Sequence, residues 1–425
     1  MTTEDAPRRF GPLGLWLRLK LWQRIFIGLA LGVAVGLAWG PEVVQIRWIG
    51  DLFVRLIRML VAPLIFVTIS SGVISLGDPK RLGALGLKTF AFYVFHLSIA
   101  AAIGLTIAWF LAPGLGIQLS DVSPADLKQA KTPGELFLGI VPLNPVQALA
   151  EGDTLAIIFF AAFFGAGVLM AGERGKPVAD VLTSATEVFL KLVGAIMEVA
   201  PIGVFALIAV VMGTSGPATF VNVFQLACCV VIGATIQTLV VHGAVIRLIA
   251  WLPILPFFRG IVDAIMVAFS TASSSATLPV AMRVAEENLG VDKPTSSTVL
   301  PLGATIGMDG TGMYMAILAL FCAQAFGITV EPAQLLLLLA ATVLIAMGAA
   351  PVPSGSLFVL PALTAVIGVS PLQTAIVVGF ILPFDRILDM MRTVPNVTSD
   401  LTVATTLARW ERTLDLETYR RPPKL

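Results

Sequence analysis

Apolar runs of membrane-crossing length fill the first 250 residues, at about 22–40, 48–76, 88–112, 154–172, 187–213 and 219–250. A helix needs about 20 apolar residues to cross ~30 Å of hydrocarbon, so each run predicts a spanning helix. Beyond residue 250 the pattern changes. Apolar limbs of roughly 10 to 15 residues flank small or kinked tips, TASSSA at 271–276 and APVPSGS at 350–356, and limbs that short do not span. They predict two re-entrant hairpins, whose tips are tolerated at membrane depth only where protein buries them or water reaches them. Each hairpin precedes a long apolar segment interrupted by polar residues, so hairpin plus broken helix occurs twice, over 255–326 and 332–411. Paired interruptions of this kind point to transporter repeats with a substrate site near the midplane.

The densest polar pattern lies at 381–408, ILPFDRILDMMRTVPNVTSDLTVATTLA. On a helix turning about 100° per residue, Asp385, Asp389, Arg392, Thr393, Asn396 and Asp400 fall within roughly one 100° arc. An Asp or Arg at a membrane helix centre costs on the order of 2.5 to 3.5 kcal/mol, so this stripe faces away from acyl chains. It lines a cavity for a small zwitterionic or anionic ligand with its counter-ion, or it is a self-satisfied ion-pair network.

Composition sharpens the class. The 425 residues are 57% hydrophobic and 12% charged, with a mean hydropathy of +0.94, which a water-soluble domain cannot carry without vast exposed apolar patches. This is an all-α polytopic membrane protein in expectation. A net charge of +1, with basic residues sparse between apolar runs, implies no nucleic-acid partner. Lys and Arg gather before the first run, at 80–88 and after residue 409, which places both termini in the cytoplasm. Arg47, Arg55 and Arg58 weaken that orientation without reversing it, and 114–133 reads as an outer loop. The basic stretch before a full-length first run predicts a retained helix rather than a cleaved leader. Cys228, Cys229 and Cys322 have neither ligand spacing nor a disulfide framework and read as small core residues.

Within the stripe, Arg392 offers a planar fork for a carboxylate, and Asp389, three residues earlier, an acceptor for an ammonium group. Together they describe an acidic amino acid, with internal pairing of Arg392 to Asp385 or Asp389 as the alternative. Asn396 is a candidate for the α-carboxylate, helped by hairpin-tip backbone N–H groups around Ser274 and Val352. Asp309, in GMDGTG, has glycines nearby that let a helix unwind and expose carbonyls to a monovalent cation. Asp400 is the second cation candidate; for both, capping of broken-helix N–H groups is the structural alternative. His96 sits mid-span as a core residue or a proton carrier, and His242 reads as interfacial, with no assigned role.

SSSATLP at 273–279, VAEENLGVDK at 284–293, LPLGATIGMDGT at 300–311, DRILDMMRTVPNVTSDLT at 385–402 and VAPIGVFALIAVVM at 199–212 closely resemble the glutamate transporter family, the dicarboxylate/amino acid:cation symporters. That resemblance implies eight transmembrane helices plus two re-entrant hairpins, inverted repeats, a homotrimer and an elevator mechanism. Residues 1–86 and 114–216 would form the scaffold, 87–113 and 217–411 the transport domain, and 412–425 a cytoplasmic tail. It implies substrate contacts from Arg392, Asp389, Asn396, Thr311, Thr393, Ser274, Ser275 and Val352. Possible sodium ligands are Asp400 and Asp309, with Tyr93 and Met308 beside them. Asp385 and Arg386 would support the site. No cofactor is implied beyond a coupling proton or sodium ion, and the partners are substrate, lipid and two further copies of the chain.

The departures point toward the coupling ion. Gly307 stands where the family has asparagine, and His96 and Leu97 where a sodium site offers hydroxyls. Pro351 and Ser354 replace hairpin glycines, Met315 replaces a glutamate tied to potassium antiport, and Ala272 and Met390 occupy both usual positions of an extra arginine that Arg386 would replace. The expectation is a bacterial inner-membrane symporter of aspartate or glutamate, driven by protons or by a reduced set of sodium ions. A protonated His96 beside Asp309 would supply the missing charge. The rivals are a sodium-coupled C4-dicarboxylate symporter, an intramembrane aspartyl protease on Asp309 and Asp389, a serine hydrolase on Ser273 to Ser275, and a channel.

Overall fold

The computed structural model describes residues 19, 21–75, 79–117, 141–151, 154–216, 219–349 and 354–422, and no strand occurs among them. Val352 and Pro351, most of the 114–133 loop and the basic residues before position 19 lie outside the described residues. The helices are α1 (Leu21–Trp39), α2 (Arg47–Ser75), α3 (Pro79–Leu111), α4 (Pro145–Glu151), α5 (Thr154–Met170), α6 (Lys176–Met197), α7 (Ala200–Ser215), α8 (Thr219–Thr235), α9 (Ile254–Gly260), α10 (Val262–Thr271), α11 (Ser274–Glu287), α12 (Lys293–Ile306), α13 (Asp309–Ala325), α14 (Pro332–Met347), α15 (Gly355–Ala365), α16 (Pro371–Trp410) and α17 (Leu416–Arg420). By length and apolarity four described helices reach across a membrane, and up to six spans result if each bent pair counts as one.

The run expected at 187–213 is not one helix. It breaks between α6 and α7, which are bent by 53°, because Pro201 in the first turn of α7 has no N–H to continue the preceding helix. Helix α1 lies along α7 on Gly28, Gly32 and Gly36. A methyl on any of the three would come within 2.3 to 2.6 Å of an α7 carbonyl, so small residues every fourth position set the backbone approach. Large apolar side chains such as Trp48, Phe110 and Phe163 remain exposed, as expected of surfaces that meet lipid rather than water.

At the centre is α13, in which every residue from Asp309 to Ala323 is buried. One apolar cluster surrounds it, and a second joins Tyr93, α10 to α12 and the end of α16. Four short helices form two close pairs. Helices α10 and α11 turn on Ala272 and Ser273, and α14 and α15 lie on either side of 350–353, which fall outside the described residues. Between the pairs, α12 and α13 are one span broken at Gly307 and Met308, with Met308 at φ −106°, ψ 44°. The two helix pairs and the α12–α13 break lie where the sequence pattern changes after residue 250. The second expected broken helix is different: α16 runs unbroken for 40 residues, its Ser370–Gln373 capping box fixing the start.

Candidate functional site

The polar stripe of α16 is buried in full: Asp385, Asp389, Arg392, Thr393, Asn396 and Asp400 are each at most 4% exposed. Arg392 Nη2 donates to Asp389 Oδ1 at 2.6 Å, and its guanidinium stacks over the Tyr314 ring, 4.9 Å from the centroid. The Tyr314 hydroxyl donates to Asp385 Oδ1 at 2.8 Å. Arg392 Nε and Nη1, though buried, have no hydrogen-bond partner among the described residues. A buried cation with donors left over is costly unless a second acceptor arrives, and the planar fork suits a carboxylate.

Both short-helix pairs reach this stripe. Asp389 Oδ2 accepts the Ser354 N–H at 2.8 Å, which ties the start of α15 to α16. Arg386 Nη2 donates to the Thr271 carbonyl at 3.2 Å, which ties the α10–α11 tip to the same helix. Ser274 is buried there and Ser275 is exposed. The Thr393 hydroxyl turns back onto the Asp389 carbonyl at 2.7 Å, so it braces α16.

Asn396 joins α16 to the broken helix. Its Oδ1 accepts N–H groups from Gly310 at 2.7 Å and Thr311 at 3.3 Å, satisfying orphan donors at the start of α13. Its Nδ2 reaches the Thr311 hydroxyl at 3.2 Å and Met308 Sδ at 3.6 Å. The capping role considered for Asp309 and Asp400 thus belongs to Asn396. This approach requires glycine at 310, where a methyl would sit 1.8 Å from the Arg392 carbonyl oxygen.

Asp400 lies against the other side of the break. Its Oδ1 has no hydrogen-bond partner among the described residues and sits 2.3 Å from where a methyl on either Gly303 or Gly307 would be. Tyr93, whose hydroxyl donates to the Val299 carbonyl at 3.2 Å, presses on the same glycine face. An orphan carboxylate oxygen beside unwound backbone has the chemistry of a hard-cation ligand.

Asp309 is held differently. Its Oδ2 accepts from Gln237 Nε2 at 2.8 Å and stands 3.0 Å from His242 Nε2, with all three residues fully buried. His242 is therefore not interfacial, contrary to its position near the end of an apolar run. The reason is π-helical winding at Ile236–Val241 and again at Val245–Ile249. Residues five apart diverge by about 140° on an α-helix, whereas i→i+5 bonding stacks them, bringing Gln237 and His242 together. His96 lies against the same pair: one ligand atom each of His96, His242 and Asp309 lies within 4.8 Å of the others. The His96 Nδ1 lies 3.1 Å from the Ser399 hydroxyl, and its ring centroid is 5.3 Å from that of His242. Gln237, His242 and Tyr314 are the participants sequence reasoning missed.

Short helices and a broken helix thus converge on buried, incompletely paired charges within an all-helical, apolar protein. Asp309 and Asp389, the pair a protease would need, are held by separate partners. The chain belongs to the sodium:dicarboxylate symporter family, whose model matches residues 21–410. It is 36% identical to the proton/sodium-glutamate symport protein of Bacillus subtilis over 93% of this chain and 94% of that protein. Similarity extends to that organism's proton/glutamate-aspartate symporter, 33% identical over 92% and 94%. It also extends to the C4-dicarboxylate transport protein of Anaeromyxobacter sp. strain K, 30% identical over 94% and 91%.

Proposed function

We propose that this chain imports aspartate or glutamate as a secondary active symporter, coupled to protons or to a reduced set of sodium ions. The observation that carries this reading is Arg392, buried, paired to Asp389 and keeping two donors free. The free fork takes the substrate's side-chain carboxylate, and Asp389, on releasing Ser354 or Arg392, its ammonium group. The α-carboxylate goes to Asn396 with the tip backbone near Ser274 and Val352, while Thr311, Ser275 and Thr393 complete the surroundings. Asp400, with Tyr93 and Met308 at the helix break, is the sodium position, and His96 the proton candidate. The relatives named as proton/sodium and proton/glutamate-aspartate symporters support this reading.

Family membership supports the finer architecture as well. In the proposal the chain has eight spanning helices and two re-entrant hairpins, forms a homotrimer in a bacterial inner membrane with both termini cytoplasmic, and works as an elevator. Residues 87–113 and 217–411 move past a scaffold of 1–86 and 114–216, leaving 412–425 as a tail. A C4-dicarboxylate substrate is the second reading, favoured by the relative of that name and opposed by Asp389, which such a substrate gives no ammonium to hold.

The test is uptake of labelled aspartate into liposomes under a sodium gradient alone and a pH gradient alone, with succinate and glutamate as competitors. Concentrative uptake under either gradient, displaced by glutamate, is expected. Accumulation of succinate but not aspartate would establish the second reading, and no uptake under either gradient would remove both.

A further inference from the structure

Sodium is the cation the family implies, and two buried carboxylates stand beside the broken helix to meet it. They are not equivalent. A hard cation takes about six oxygen ligands, and Asp400 Oδ1 offers an unpaired one against unwound backbone. The hydrogen-bond partners of Asp309 are nitrogens. Gln237 Nε2 and His242 Nε2 occupy its Oδ2 at 2.8 and 3.0 Å. A His96 ring nitrogen lies within 4.8 Å of both the His242 and the Asp309 ligand atoms, and Leu97 fills the space beside Gly312, its Cδ1 2.4 Å from where a Gly312 methyl would be. The Gln237 amide is oriented by two acceptors, Asp309 Oδ2 and the His96 carbonyl at 3.4 Å, so nitrogen and not oxygen faces the carboxylate. Asp309 Oδ1 and Gln237 Oε1 are without partners among the described residues, and two oxygens fall well short of the about six a hard cation takes.

We infer that in this chain Asp309 is not a sodium ligand. In this inference His242 carries its proton on Nε2, so that it and the Gln237 amide, both presented by the π-helical continuation of α8, occupy the place of a cation, and the carrier binds substrate with no sodium at this position. The exchange gives Gln237 and His242 a positioning role. They hold Asp309, the first residue of α13, and thereby the Gly310 and Thr311 N–H groups that anchor Asn396. The inference rests on the symporter reading for its transport consequence but not for its geometry.

Two measurements on the purified full-length protein test it. Aspartate affinity is measured by calorimetry over a range of sodium concentrations at constant ionic strength, choline replacing sodium, for the wild type, Asp309→Asn and Asp400→Asn. The slope of log affinity against log sodium is expected to be the same in Asp309→Asn as in the wild type, and lower by about one in Asp400→Asn. A slope lowered by about one in Asp309→Asn overturns the inference. The second measurement needs no variant at the carboxylates. The chain has only two histidines, so ¹⁵N-histidine labelling gives four ring signals, assigned with His96→Gln. The His242 Nε2 signal is expected to stay in place from zero to saturating sodium; a sodium-dependent shift of that signal, with the other three unmoved, overturns the inference. If the wild type binds no aspartate under any condition, the symporter reading fails, while the ring signal still decides the state of Asp309.

Discussion

Arg392 is held on two sides and open on a third: Asp389 takes one nitrogen, Tyr314 stacks on its face, and Nε and Nη1 are left. A lysine in its place supplies one point charge, which cannot pair with Asp389 and also grip a second carboxylate with two parallel bonds. Arg392→Lys is therefore expected to weaken aspartate binding about 100-fold, ~2.7 kcal/mol, in calorimetry. Affinity within threefold of the wild type would take Arg392 out of the substrate site. Tyr314→Phe keeps the ring under the guanidinium but strips Asp385 of its one observed bond. Leaving that buried oxygen unsatisfied is expected to lower stability by about 1 to 3 kcal/mol, seen as a lower unfolding temperature. The stripe of α16 was legible in the sequence because six polar residues on an apolar helix share one arc at the α-helical period. Tyr314 was not, because nothing in GMYMAILAL marks which neighbour of a wholly buried helix touches a charge.

The residue following α10 and the residue preceding α15 share a strained feature. Ala272 has φ 52° and Ser354 φ 62°, both in the left-handed region where a Cβ is disfavoured by about 1 to 2 kcal/mol. Each sits where its hairpin meets α16, beside the Thr271 carbonyl that receives Arg386 and at the Ser354 N–H that Asp389 accepts. The Asp389 contact is made by backbone, so Ser354→Gly keeps it while relieving the strain. A gain of about 1 kcal/mol, less the extra chain entropy glycine brings to the unfolded state, is expected as a raised unfolding temperature for Ser354→Gly and for Ala272→Gly. A fall in unfolding temperature for both would show that these residues are not strained at the tips. At this scale the sequence announced the two pairs of short helices through their short apolar limbs, and the break of α12–α13 through its glycines. It concealed the α6–α7 bend, since VAPIG continues an apolar run without interruption. It concealed the His242–Asp309 contact for a different reason: a wheel drawn at 100° per residue separates Gln237 from His242, and only the wider π turn reunites them.

At the scale of the whole molecule, the chain's end is fastened to the base of the first hairpin. The Asp415 N–H donates to the Gly290 carbonyl at 2.8 Å, the Tyr419 hydroxyl to the Pro253 carbonyl at 2.8 Å, and the Thr413 hydroxyl to Asp292. Tyr419 is 1% exposed, so α17 is packed rather than merely adjacent. Partial burial pushes the Asp292 carboxyl up, but bonds from Thr413 and Thr295 together outweigh it and hold the group below the usual aspartate range. The Thr418 hydroxyl, with the N–H groups of Thr418 and Glu417, does the same for Asp415. A carboxyl held low in the folded state contributes stability that is fully present above its unfolded pKa, ~3.9 for aspartate, and is lost as pH falls through the lower folded value. These two carboxylates therefore add no pH dependence to the fastening between about 5 and 8, and their contribution is lost only below ~4. Spin labels at Arg420 and Leu255, across the α17–α9 contact, are expected to give one unchanged distance distribution over the neutral range and a broadened one in acid. Broadening at pH 6 would show that carboxylates other than these two govern the tail. Because α17 bears on the hairpin whose tip Arg386 holds, Tyr419→Phe is expected to cost about 1 kcal/mol of stability while leaving the Arg392 site, at the far end of that hairpin, with unchanged aspartate affinity.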